Sequence, residues 1–154
     1  MATTTAVSTS LDQALRALQS DYAVLYNKLR VYHWTVRGQQ FFMLHEMFEK
    51  LYKEAADDQD SLAERMVALD LEPATTLREE LATARLKEDP VALHALEMVQ
   101  NLIADLLAVT QLLRELARQA AQVSDTATVN MADGIADRNE KTLWMLRALL
   151  SKTT

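Results

Sequence analysis

Two histidines stand twelve residues apart, His33 and His45, and three carboxylates downstream, Glu49, Asp60 and Glu64, return to one side of a helix. Imidazole nitrogen with carboxylate oxygen is a donor set suited to iron, manganese or zinc. The chain has no cysteine, so no thiolate favours a closed structural zinc site, and disulfides and a cysteine nucleophile are excluded. Four residues separate His45 from Glu49 and Asp60 from Glu64, so each pair shares a helix face and can grip one ion. At 100° per residue, positions 45, 49, 60 and 64 fall at about 0°, 40°, 60° and 100°, within one sector. The 15 residues from His45 to Asp60 nevertheless cover roughly 22 Å of helix axis, far more than one coordination sphere. A single chain therefore cannot close this site. A two-fold axis near residue 54 or 55 would lay the helix antiparallel to its copy, bringing His45 and Glu49 of one chain opposite Asp60 and Glu64 of the other. That arrangement predicts two equivalent metal sites per dimer.

Long helices must carry these residues, and the composition supplies them. In 154 residues there are only two glycines and two prolines. An apolar stripe at Leu11, Leu15, Leu18, Tyr22, Leu25, Leu29 and Tyr32 steps by four and three, as one buried helix face requires. The Ser10-Leu11-Asp12-Gln13 capping pattern places the start of helix one at Ser10, with residues 1–9 as a flexible tail, and Gly38 suits its end. A second stripe through Leu44, Phe48, Leu51, Ala55, Leu62, Met66 and Leu69 predicts a second long helix, the one bearing the carboxylates. The stretch from Asp70 to Glu88 is too long for a tight turn and reads as a crossover with a short helix around Leu77 to Thr83. Asp89-Pro90 marks the start of helix three, with Leu96, Val99, Ile103, Leu106, Thr110, Leu113, Ala117 and Ala120 along its face. After a turn at Val123 to Asp125, Thr128, Met131, Ile135, Thr142, Leu146 and Leu149 carry helix four to Leu150. Four long striped helices make an all-α four-helix bundle over residues 10–154 the simplest way to bury every stripe.

The formal charge is −6 with a pI near 5.0, which gives no global attraction to nucleic acid or to an anionic membrane. MATTTAVSTS lacks the basic and apolar regions of a secretory signal, and no membrane span is expected, so the expected location is the cytoplasm.

From Leu29 to Leu69 the sequence resembles the ferroxidase region of the Dps family of mini-ferritins. The shared pattern is a histidine-tryptophan pair, a second histidine twelve positions later, a carboxylate four beyond it, then an aspartate and a glutamate four apart. His33, Trp34, His45, Glu49, Asp60 and Glu64 occupy those positions here. The resemblance extends along the chain to Glu140-Lys141-Thr142-Leu143-Trp144-Met145-Leu146, mostly as core patterning. It implies a ferritin-like fold and an interface di-iron site with His33, His45 and Glu49 from one subunit and Asp60 and Glu64 from its mate. Trp34 would border that site. The resemblance further implies a dodecameric hollow shell that oxidises Fe(II) to Fe(III), preferably with hydrogen peroxide rather than dioxygen, and stores ferric mineral. Zinc is a possible competitor at the site, and protection against oxidative damage is the implied role. Two departures stand out. Glu49 replaces the usual aspartate, and Thr126 and Asn130 stand where acidic pore residues are expected, leaving Asp125, Asp133 and Asp137 as the candidates for an iron entry path.

Competing readings follow from particular residues. A bundle binding both irons within one subunit uses Glu-x-x-His motifs, and the chain has none. A DNA-condensing nucleoid protein uses a basic terminus, whereas the first basic residue here is Arg16 and only Lys152 lies near the other end, so DNA binding is expected to be weak or absent. A purely structural bundle would leave His33 and His45 as ordinary helix histidines, as His94 is expected to be. Asp57 and Asp58 read as a solvated face or interface pairs, Trp34, Phe41 and Phe42 as interface residues, and Trp144 and Met145 as core or interface.

Overall fold

The computed structural model describes residues 2–90 and 93–151, and it is helical throughout, with no strand among them. Helices α1 (Ala2–Thr35), α2 (Phe41–Ala68), α4 (Ala95–Gln122) and α5 (Thr126–Leu150) form the bundle, and α3 (Leu77–Thr83) lies in the crossover. α1 packs along α2, α4 along α5, and α1 also against α4 and α3. All seven residues of the α1 stripe are buried, as are Leu44, Phe48, Leu51, Ala55, Leu62 and Met66 of α2. α4 is apolar enough over part of its length to cross a membrane by composition alone, yet Val99, Leu102, Leu106, Val109, Leu113 and Leu116 are buried in the bundle, as in a core helix.

Two expected helix starts are corrected. The backbone is already helical at Ala2, so Ser10 lies inside α1 instead of capping it. No glycine or proline in the first ten residues breaks the helix, and alanine favours its continuation. Asp89 does not cap α4 either. Its carboxylate accepts from the Tyr32 hydroxyl and pairs with Lys28 Nζ at 3.3 Å, and α4 begins five residues after Pro90 with His94 as N-cap. The backbone N–H of His94 donates to Glu97 Oε2 at 2.7 Å. His94 therefore has the structural role expected of it.

The crossover is strapped down by buried polar groups. Gln19 exchanges two hydrogen bonds of 2.9 Å with the backbone of Ala74. The fully buried Asp21 accepts from the N–H groups of Arg85 (2.6 Å) and Leu86 (2.9 Å) and from the Arg85 guanidinium. Gln59 Nε2 of α2 donates to Glu80 of α3 at 2.7 Å, and burial pushes the Glu80 carboxyl above its ordinary range. Such charges stay inside because they are paired or hydrogen-bonded.

Two long helices end in Schellman turns without glycine. After α2 the N–H of Leu71 donates to the Met66 carbonyl and that of Asp70 to Val67, with Asp70 at φ 57°. After α4 the N–H of Asp125 donates to Ala120 and that of Ser124 to Ala121, with Ser124 at φ 61°. Asp125 then caps the next helix, its Oδ1 accepting from the Thr128 N–H at 3.1 Å. One residue thus closes α4 and opens α5.

Candidate metal centre

His33 sits in the last turn of α1 and His45 in the first turns of α2, joined by a short turn through Gly38, whose φ of 108° favours glycine. Across that turn the two residues bond reciprocally. His33 Nδ1 lies 2.8 Å from the His45 carbonyl oxygen, and His45 Nδ1 lies 2.8 Å from the His33 carbonyl oxygen. A carbonyl can only accept, so each Nδ1 carries a proton and Nε2 is the ring nitrogen left to offer a lone pair to a metal. The His33 carbonyl is one of the orphan acceptors at a helix C-terminus, which explains why it is open to a side-chain donor. The rings stack at 3.7 Å, Phe41 stacks on His45 at 5.1 Å, and Tyr52 meets His33 edge-on at 5.6 Å. Both imidazoles are therefore held in place before any ligand arrives.

Glu49 follows one turn after His45 on α2 and is bonded to Lys53, whose Nζ donates to Oε1 at 2.5 Å. That hydrogen bond and charge hold the Glu49 carboxyl below the usual range, with smaller contributions from His33 and His45. Asp60 and Glu64 lie further along α2 and are exposed, with no side-chain hydrogen bond or ion pair to any described residue. Nowhere among the described residues do three His, Asp or Glu side chains converge as a metal cluster. Within one chain the structure brings together His33 and His45 and leaves Asp60 and Glu64 apart from them.

α2 is fixed from its inner face. Asp58 is buried and pairs with Arg138 of α5, so it belongs to neither a solvated face nor an interface, contrary to expectation. Burial pushes its carboxyl up to about 6 despite the Arg138 guanidinium, with Glu54 and Asp57 adding to the rise. Next to Glu64, Arg65 donates to Thr128 Oγ1 at 2.7 Å and to Asp125 Oδ1 at 2.5 Å. Asp125 is thereby committed to the helix junction and is not a free acid for an entry path. Asp133 and Asp137 are exposed.

Trp34 is 60% exposed with the Arg30 guanidinium over its ring at 4.8 Å, and Phe42 is 80% exposed. Trp144, at 66%, is not a core residue of the chain, nor is the exposed Met145. Lys152 lies outside the described residues. Sequence reasoning missed Tyr52, Lys53 and Arg138. The first two sit one turn beyond Glu49 on the same helix and could have been found by the same spacing, whereas Arg138 required the tertiary fold.

The ferritin-like domain family matches residues 12–154. General stress protein 20U of Bacillus subtilis (strain 168) is 40% identical over 144 residues, covering 94% of this chain and 99% of that protein. The DNA protection during starvation protein of Brevibacillus brevis is 38% identical over 148 residues, with coverages of 94% and 99%. Among solved structures, the Dps protein from Vibrio cholerae O1, described as a member of a broad superfamily of ferritin-like diiron-carboxylate proteins, superposes with a TM-score of 0.91 at 31% identity, covering 96% of this chain and 92% of that one. With its helical bundle, its pre-set histidine pair and these relatives taken together, the chain belongs to the Dps family of ferritin-like proteins.

Proposed function

We propose that the protein is a ferroxidase and iron-storage subunit acting through an inter-subunit di-iron site, built from His33, His45 and Glu49 of one chain and Asp60 and Glu64 of its mate. The observation that carries this reading is the reciprocal histidine pair. Both rings present Nε2 from a fixed stack, while Asp60 and Glu64, exposed on α2, have no side-chain partner among the described residues. The diiron-carboxylate kinship of the Vibrio cholerae relative supports iron as the substrate metal. The donors fit it, since imidazole and carboxylate suit Fe(II), and carboxylates stabilise the harder Fe(III) product.

Two Fe(II) held together can pass two electrons to one hydrogen peroxide, cleaving its O–O bond to water without releasing a one-electron oxygen radical. In this reading the chain's own residues do three things. The Nδ1–H donors lock the imidazole orientation, Glu49 and the mate's acids neutralise the added charge, and Trp34 and Phe42, exposed in one chain, cover the site on pairing. Hydrogen peroxide is the proposed oxidant ahead of dioxygen, with zinc as a competitor for the donors. A dodecameric shell formed by residues 10–154, ferric mineral storage and protection from oxidative damage in the cytoplasm complete the proposal. DNA condensation is the second reading, favoured by the name of the Brevibacillus brevis relative. The absence of Lys and Arg before Arg16 argues against tight binding at neutral pH, and a low-salt gel shift checks it.

The test separates an interface site from a site within one chain. Co-assembly of His33→Ala subunits with Asp60→Ala subunits leaves one fully liganded site in every mixed dimer, so about a quarter of all sites are restored in a random mixture. Oxidation after anaerobic Fe(II) loading and peroxide addition should return to about that fraction, with about two irons oxidised per peroxide. No recovery in the mixture would place the ligands within one chain, and equal slow rates in wild type and variants would leave a structural bundle.

A further inference from the structure

Glu49 is the candidate ligand already engaged by a cation. Lys53 reaches it across one helical turn at 2.5 Å, from a position that is itself exposed to solvent. On a helical wheel with His45 at 0°, Lys53 falls at about 80°, between Asp60 and Glu64 and inside the sector that holds every proposed ligand of α2. Lys50 falls at about 140°, outside that sector, and pairs with Glu54 at 3.6 Å instead. A glutamate followed four residues later by lysine is an ordinary surface pair of a helix. Here the same carboxylate is also wanted by the metal. The glutamate side chain is long enough for its carboxylate to meet an ammonium one turn ahead.

We propose that Lys53 sets the metal affinity of the site as an internal counter-cation, occupying Glu49 when the site is empty and being displaced when a divalent cation takes that carboxylate. The proposal rests on the inter-subunit site described above. With the mate in place, three carboxylates converge in the empty site, and the ammonium offsets part of their mutual repulsion. Metal binding then exchanges one cation for another instead of filling a bare anionic pocket. The exchange costs affinity, and the cost is modest because the pair is exposed to water.

Calorimetric titration of the assembled protein with Zn(II), which is redox-inert, reads this directly. The His33→Ala/Asp60→Ala variant defines the heat that comes from elsewhere on the shell. Lys53→Met keeps the apolar stem and removes the charge, and it should bind Zn(II) at this site about three-fold more tightly, the scale of an exposed ion pair. Lys53→Arg and Lys50→Met should match the wild type. Unchanged affinity in Lys53→Met, or an equal gain in Lys50→Met, would overturn the proposal, the second by showing that only net charge matters. Identical isotherms for the wild type and His33→Ala/Asp60→Ala would instead remove the site itself, a separate failure.

Discussion

The two ends of α2 prepare their side chains in opposite ways. At the N-terminal end, His45 is locked by a carbonyl of α1, stacked between Phe41 and His33, and joined by Glu49, which Lys53 already holds. At the C-terminal end, Asp60 and Glu64 stand in solvent on bare helix, and only the helix beneath them is fixed, by Asp58 to Arg138 and by Arg65 to Asp125. The first half is organised at the level of side chains and the second at the level of backbone. Under the proposed site, this division would set the rigid nitrogen donors and Glu49 in one subunit and draw the adaptable carboxylates Asp60 and Glu64 from the other. Carboxylates tolerate that freedom, being able to bind through one oxygen or two, whereas an imidazole offers a single lone pair in a fixed direction.

Substitutions can break that contrast, and the largest effect is expected at the exposed acids. Asp60→Ala or Glu64→Ala should weaken Zn(II) or Fe(II) binding by about 100-fold or more, beyond what losing an outer-shell partner costs, while leaving the unfolding midpoint nearly unchanged. A large loss of stability in either variant would show that these acids serve the fold. Phe41→Ala tests the other end. Removing one face of the histidine stack should lower metal affinity by about ten-fold and also cost stability, by about 1–2 kcal/mol, since Phe41 is only half-buried and packs on the core.

Asp125→Ala sharpens the comparison from the side of the backbone. It removes the cap of α5 and the Arg65 anchor together, and denaturant unfolding should show a loss of about 2 kcal/mol. The same anchor fails in acid. Burial alone would raise the Asp125 carboxyl, but the hydrogen bonds from Arg65 and Thr128 outweigh it and hold the group below its ordinary value. Its contribution is therefore complete above the unfolded carboxylate value near 4 and is lost as pH falls through the lower folded value. Unfolding curves for the wild type and Asp125→Ala should converge in that acidic window and separate above it. The smallest effect belongs to Tyr52→Phe. The ring meets His33 edge-on without a hydrogen bond from its hydroxyl among the described residues, so both metal affinity and stability should stay within error of wild type.

Much of this architecture is readable from side-chain periodicity. The α1 and α2 stripes and the short helix at Leu77–Thr83 follow from spacing and caps, because the burial of one face dictates them. The starts of α1 and α4 do not. Ser10 has the chemistry of a cap, but nothing before it breaks the helix, and Asp89 is drawn away by Lys28 and Tyr32, 61 and 57 residues distant in sequence. Leu96, placed on the buried face of helix three, is exposed in the first turn of α4. At the candidate site, the separation of His45 and Glu49 from Asp60 and Glu64 along α2 is legible as a distance along an axis. The reciprocal histidine bonds are not, since they depend on which carbonyls a helix end leaves open. Asp58 shows the limit most plainly: its sequence neighbours Asp57 and Asp60 are exposed, and only the fold turns it inward to Arg138.

No three metal-binding side chains converge among the described residues of one chain, and this bears on when iron chemistry could begin in a cell. In the proposed reading, a newly synthesised subunit would offer iron two imidazoles and Glu49 near one end of α2 and Asp60 and Glu64 near the other, neither group complete by itself. Under the proposed site, reactivity would appear only when two subunits meet, so its onset would rise with the square of subunit concentration. Assembly would then act as a safety interlock, keeping half-built protein from generating radicals before there is a shell to contain the product.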